Sequence, residues 1–146
     1  MSKTIVLATD HAGFELKEYV KNFLQNKGYN IKDFGALEYD SLDDYPDFII
    51  PAAEHIAEHN LIGIIFGGSG QGEAMAANRI KGIRAAVFYN GPNEIVELSR
   101  MHNNANILSI GARFLSNQEA ESIIELWLST DFEEGRHEKR INKLDS

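Results

Sequence analysis

The chain contains no cysteine in its 146 residues. That excludes a disulfide framework, a thiolate metal site and a thiol nucleophile. It also lacks any apolar run near the ~20 residues that a membrane span needs. Met1-Ser2-Lys3-Thr4 leads straight into an expected strand rather than a signal peptide, so the expected location is cytoplasmic. Positive charge is scarce: 14 Lys and Arg stand against 22 Asp and Glu, a formal balance of −8 that argues against general nucleic-acid binding. Internal repeats, low-complexity tracts and linkers are missing too, and the length suits one domain with a substantial core.

What basic charge there is gathers at the end, where Arg136, His137, Lys139, Arg140 and Lys143 crowd the last eleven positions. In an acidic protein such a cluster suits a small anionic ligand better than a polyanion. The plainer alternative is a solvated, salt-bridged terminal helix.

Strand-like and helix-like segments alternate along the chain. Strands are expected at Thr4 to Thr9, Asn30 to Phe34, Ile62 to Phe66, Arg84 to Phe88 and Ile107 to Ile110. Apolar residues at helical spacing predict helices from Phe14 to Lys27, from Asp44 to His59, from Glu73 to Ile80 and from Asn93 to His102. Ser116-Asn117-Gln118-Glu119 is a capping-box pattern opening another, and a charged helix follows Gly135. Pro51 is awkward in the second helix: either its first turn is irregular or the regular helix begins there. Five continuous Val/Ile-rich strands alternating with helices predict a three-layer αβα, Rossmann-like fold with a five-stranded parallel sheet. Ligands of such folds gather at the carboxyl ends of strands, so Asp10-His11, the loop after the third strand and the residues after strands four and five should share one rim.

That loop, Gly67-Gly68-Ser69-Gly70-Gln71-Gly72, holds four glycines in six positions. It fits neither the dinucleotide fingerprint, since Glu73 stands where the third glycine belongs, nor the P-loop, which needs Gly-Lys-Ser/Thr. A nucleophile elbow fails at Gln71. A strand emptying through glycines into a helix points several N–H groups at one place, which suits an anion or a developing oxyanion. Glu73 adds a carboxylate there, whose pKa the helix terminus lowers and burial raises. A base beside N–H donors describes a proton-transfer site, although a first-turn glutamate is also a common helix stabiliser. Asp10-His11 could hold an anion or a sugar hydroxyl, or be a helix cap with an exposed histidine. His102 could act as acid or base, within a run whose three asparagines could simply form a turn. His55 and His59 lie at i, i+4 without an apparent third ligand and read as surface residues rather than a metal pair. Arg136 and Arg140, four apart, would form a two-pronged phosphate clamp; Arg113 and Arg84 add positive charge or pair with carboxylates.

Eight blocks in one order carry a resemblance. They are Thr9-Asp10-His11-Ala12-Gly13-Phe14, Asp44-Tyr45-Pro46, the glycine loop through Glu73, Ala76-Ala77-Asn78-Arg79, Gly82-Ile83-Arg84-Ala85, Leu98-Ser99-Arg100-Met101-His102-Asn103, Gly111-Ala112-Arg113 and Gly135-Arg136-His137-Glu138-Lys139-Arg140. Over nearly the whole chain this resembles the ribose-5-phosphate isomerase B family of sugar-phosphate isomerases. Many members carry a cysteine base where Gly67 stands here. The chain looks like the other branch, in which a glutamate at the Glu73 position takes over.

The resemblance implies interconversion of ribose 5-phosphate and ribulose 5-phosphate without metal or organic cofactor. It implies His102 as the group that opens the furanose ring, with Asp10 as partner, and Glu73 as the base carrying the proton from C2 to C1. Ser69 and the N–H groups of Gly70, Gln71 and Gly72 would stabilise the enediolate, with Gly68 lining the substrate and Asn103 binding sugar oxygens. His11, Arg113, Arg136, Arg140 and His137 would hold the phosphate. Family sites lie between subunits, so a homodimer or tetramer is implied, with the helix at about 135–144 reaching the neighbour. Galactose-6-phosphate or allose-6-phosphate isomerisation is the alternative within the class, and a non-catalytic phosphosugar sensor lies outside it. A receiver-like signalling module is disfavoured, since Phe66-Gly67 stands where a phosphorylatable aspartate belongs.

Overall fold

A computed structural model describes residues 3–145. Met1 and Ser2, part of the expected lead-in to the first strand, lie outside them, as does Ser146. The strands are β1 (Thr4–Thr9), β2 (Asn30–Asp33), β3 (Ile62–Gly67), β4 (Ala85–Phe88) and β5 (Ile107–Gly111). They form one all-parallel sheet in the order β2-β1-β3-β5-β4. Around it run α1 (Phe14–Asn26), α2 (Pro46–His59), α3 (Gln71–Ala77), α4 (Glu94–Met101), α5 (Asn117–Ser129) and α6 (Arg136–Ile141). No helix among the described residues is long and apolar enough to cross a membrane.

The unbroken apolar strands make sense once both faces are covered. Ile5, Leu7, Ile64, Phe66, Leu108 and Ile110 pack against Val20 and Leu24 of α1, Val96 of α4 and Ile124 and Trp127 of α5. Alternate residues, Val6, Ala8 and Ile65, face Ile49, Ala52, Ala53 and Ile56 of α2 and Ala77 of α3. Each fully buried branched side chain contributes about 1.5–3 kcal/mol, so this two-sided core holds the strand ends in place. The expected αβα layering is therefore present. From β1 the chain steps outward to β2 and then returns to β3 on the other side. The β1/β3 boundary is the topological switch point, where the carboxyl ends of strands leave a crevice.

Local boundaries follow their chemistry. The Ser116 side chain accepts the Glu119 N–H at 3.1 Å and Glu119 accepts the Ser116 N–H at 2.8 Å, completing the expected capping box. Pro51 stays inside α2. The first turn absorbs the irregularity, with Asp47 and Phe48 donating to residues three back, Asp44 and Tyr45. The helix after the glycine loop starts at Gln71, two residues before the expected Glu73, because Gly70 takes a φ of 79° and serves as its cap.

Among the described residues, one charged side chain lies wholly inside. Lys17, 0 % exposed, donates to both Asp33 oxygens at 2.9 and 2.8 Å and to the Ala36 carbonyl at 2.7 Å. Ala36 N–H in turn donates to the Thr9 carbonyl, and Thr9 N–H to Gly35. The ammonium thus clamps the exit of β2 against the last residue of β1, directly before Asp10.

Candidate active site

β3 ends at Gly67, and Glu73, in the first turn of α3, folds back onto it. Glu73 is only 5 % exposed. A Cβ on Gly67 would lie 2.1 Å from its Cδ and Oε2 and 2.3 Å from Oε1. The carboxylate therefore fills the volume that any side chain at position 67 would need. Replacing Gly67 with alanine is expected to evict the carboxylate and lower kcat by about a hundredfold, the usual cost of ~1 Å misplacement. Steady-state kinetics checks this; a wild-type rate would show the contact to be dispensable.

The rest of the loop is held from outside. Gly70 in its left-handed conformation gives its carbonyl to the buried Ser109 hydroxyl at 2.6 Å and to Ala74 N–H at 3.1 Å. Ser69 Oγ accepts the Gln71 N–H at 3.2 Å, keeping its own proton for a ligand. The Arg113 guanidinium lies over Gly68, and the Tyr45 ring over Gly72. The first N–H groups of α3 have no carbonyl partner within their helix; that of Gln71 meets Ser69 Oγ and that of Glu73 meets its own carboxyl.

Asp10 and His11 complete this rim. Asp10, 7 % exposed, accepts the Ala12 N–H at 3.0 Å, the cap that the sequence offered as an alternative. His11 donates through both its N–H and its ring Nδ1 to Asp43. Electrostatics here are uneven. Burial pushes the Glu73 carboxyl upward and the Asp10 charge adds to this, while its own N–H and Arg113 pull the other way. The net is a carboxyl held above its ordinary value, a better proton acceptor than an exposed glutamate.

The remaining expected residues lie elsewhere. His102 and Asn103 follow α4 and precede β5, at the amino end of the parallel strands. The 102–106 turn bonds into that end, Asn106 pairing with Arg84 before β4 and with Gly63 at the start of β3. α6 sits at the same end, since Asp145 just beyond it accepts the Gly82 N–H at 2.9 Å. His102 stacks on His137 with ring centroids 4.2 Å apart and planes 14° from parallel. Glu133 Oε1 lies 3.6 Å from Nε2 of each ring. His137 is buried, its Nε2 without a hydrogen bond; burial and the neighbouring His102 and Arg136 lower its pKa. Arg136, Arg140 and Asn103 are exposed.

The structure thus brings Asp10, His11, Gly68, Ser69, Gly70, Gln71, Gly72, Glu73 and Arg113 to one rim, and His102, Asn103, Arg136, His137 and Arg140 to the other. Two asparagines of the 102–106 run serve the turn: Asn106 through its bonds to Arg84 and Gly82, and Asn104 by accepting from Arg100. Arg84 itself is half-buried and bound to the Asn104 and Gly82 carbonyls. Asp10, His11 and Asp43 on one rim, and His102, Glu133 and His137 on the other, each place three possible metal ligands within 4.8 Å. At the second cluster the near-parallel imidazoles direct their lone pairs side by side rather than at one point. At the first, His11 Nδ1 is already engaged by Asp43.

Sequence reasoning passed over Asp43, Tyr45 as a wall of the site, and Ser109. Tyr45 sits in a block noted as a helix start and as part of the resemblance but not as a wall of the site, and Asp43 meets His11 across 32 residues, with nothing local to mark it.

This geometry has close counterparts. The ribose/galactose isomerase family model matches residues 5–144. The chain is 41 % identical over 142 residues to ribose-5-phosphate isomerase B of Mycolicibacterium paratuberculosis, covering 96 % of this chain and 88 % of that one. The crystal structure of the Thermotoga maritima ribose 5-phosphate isomerase superposes with a TM-score of 0.92 at 42 % identity, covering 99 % of each chain. The Mycoplasma genitalium ribose-5-phosphate isomerase B, with bound ribulose-5-phosphate, gives a TM-score of 0.93 at 38 % identity, covering 99 % of this chain and 95 % of that one. With likeness running from β1 through α6, the chain belongs to the ribose/galactose isomerase family.

Proposed function

We propose that the chain interconverts ribose 5-phosphate and ribulose 5-phosphate by proton transfer through a cis-enediolate. The observation that carries this reading is the buried Glu73 carboxylate seated against Gly67 within the N–H-rich loop. In the open-chain aldose, Glu73 takes the proton from C2. The C–H electron pair becomes the C1–C2 double bond and O1 takes the negative charge. The Ser69 hydroxyl and the loop N–H groups of Gly70, Gln71 and Gly72 meet that charge, a role worth about 3–4 kcal/mol per donor in other enzymes. A proton passes from O2 to O1, and Glu73 returns its proton to C1, leaving the ketone at C2. His11 and Arg113 draw the phosphate to this rim, with Gly68 beneath it. Asp10 takes part in opening the ring.

The other residues come from a second copy of the chain. A six-residue strand spans about 20 Å, whereas direct proton transfer works at about 3 Å. Glu73 and His102 of one chain therefore cannot serve one five-carbon sugar. A homodimer that sets the amino-end cluster of one chain over the carboxyl-end rim of the other supplies His102 to protonate the ring oxygen. It also supplies Asn103 for sugar oxygens, and Arg136, Arg140 and His137 for the phosphate. α6 is the element that reaches across, with the cytoplasm as the setting.

The test is incubation of the pure protein with ribose 5-phosphate in D₂O, followed by NMR. Ketose should form, with deuterium entering at C1 of ribulose 5-phosphate. Binding without turnover would favour the sensor reading, and a higher kcat/KM on galactose or allose 6-phosphate would favour the six-carbon alternative.

A further inference from the structure

Asp43 has a single occupation. Both hydrogen bonds made by its side chain among the described residues go to His11, from the backbone N–H at 3.0 Å and from ring Nδ1 at 2.7 Å, onto the same oxygen. Its other oxygen is buried without a partner. The side chain is 9 % exposed against 29 % for His11. Burying a carboxylate is costly unless it is compensated, so a loop needing only to be anchored would be better served by an apolar residue.

Two donors from one residue onto one oxygen fix main chain and ring together. They require the proton on Nδ1 and leave Nε2 as the ring atom open to a ligand. Neighbouring position in the sequence would nominate Asp10 as the partner of His11, but an Asp10 oxygen already accepts the Ala12 N–H. Tyr39 stands edge-on to the ring at 6.2 Å, and Phe14 stands behind Tyr39, which limits other rotamers.

We propose that Asp43 is the positioning residue for His11, holding Nδ1–H on its carboxylate so that the protonated ring turns Nε2–H and its positive charge toward the substrate phosphate. This rests on the reading of His11 as a phosphate ligand. The groups facing the ring pull in both directions. The Asp43 hydrogen bond raises the His11 pKa most, partial burial opposes it, Asp10 adds to it and Arg113 subtracts. The net is upward, so more of the imidazolium persists toward neutral pH than in an ordinary histidine. A dianionic phosphate then meets a cation that is already oriented, in the way that a carboxylate behind a metal-bound histidine fixes its tautomer.

The experiment is ¹⁵N-edited NMR of the imidazoles across pH, with and without inorganic phosphate, on the wild type, Asp43→Asn and Asp43→Ala. In the wild type the His11 midpoint should lie above the ordinary 6.5, with the Nδ1–H form at high pH. Asp43→Asn keeps an acceptor oxygen but loses the charge. It should retain the tautomer, lower the midpoint and weaken phosphate binding. Asp43→Ala should lose tautomer and midpoint together. In kinetics, Asp43→Asn should raise KM for ribose 5-phosphate about tenfold with kcat within about threefold. In a His11→Ala background it should change KM by less than about twofold. An unchanged His11 midpoint in Asp43→Asn, or an equal KM effect without His11, would overturn the proposal. A wild type that never turns over ribose 5-phosphate would sink the functional reading alone, because the imidazole titration and the phosphate titration decide Asp43 by themselves.

Discussion

Glu73→Gln should bind ribose 5-phosphate within about tenfold of the wild type while losing about 10³–10⁴ in kcat. Glutamine keeps the shape that fills the space beside Gly67 and removes only the ability to take a proton. Two further readouts separate this from general damage. The acid limb of kcat/KM in the wild type should lie above the ordinary carboxylate value of 4.5, since burial holds Glu73 upward, and the variant should lack that limb. Stability should move the opposite way to activity. A carboxyl raised in the fold carries no penalty in acid. The penalty grows as pH climbs from the unfolded value through the folded one and is complete above it. Glu73→Gln should therefore melt higher than the wild type at neutral pH and equally at pH 4, with about 2–4 °C for each kcal/mol regained. Normal turnover would reduce Glu73 to a helix-terminal carboxylate.

Mixing two inactive variants should restore activity. Glu73→Gln and His102→Asn each damage every site of their own dimer. If a site joins Glu73 of one chain to His102 of another, a mixed dimer has one site with both groups intact and one with neither. Random re-pairing of equal amounts makes half the dimers mixed, so about one quarter of wild-type activity should appear after dissociation and reassembly. Sites contained within one chain would stay inactive at every mixing ratio. Measuring ketose formation before and after reassembly decides between the two.

Much of the fold was legible because its signals are local. Unbroken apolar runs such as Ile62 to Phe66 announce strands covered on both faces, and the Ser116–Glu119 reciprocity announces a helix start. The boundary of α3 slipped because Gly70 caps it through a left-handed backbone, which a glycine-rich string permits at several positions without choosing among them. The glycine loop and Glu73 were legible as a unit, being contiguous. That His102 lies at the far end of the sheet follows only from strand direction once the elements are assembled. Asp43, one of several acids in its loop, acquires meaning only through a contact made after β1 and β2 have paired.

The pairing of the interior Lys17 ammonium with Asp33 sets the acid limit of the β2 flank of the crevice. Burial alone would lift the Asp33 carboxyl, but Lys17, the Gly35 N–H and Lys21 more than offset it, leaving that carboxyl below its ordinary value. Its contribution to folding is thus complete above the unfolded value and drains away only as pH drops through the folded one. Protonation there strands a buried cation and slackens the tie between Ala36 and Thr9, so the crevice loosens at its β2 flank while the hydroxyl of Ser109 keeps its hold on Gly70 of the glycine loop.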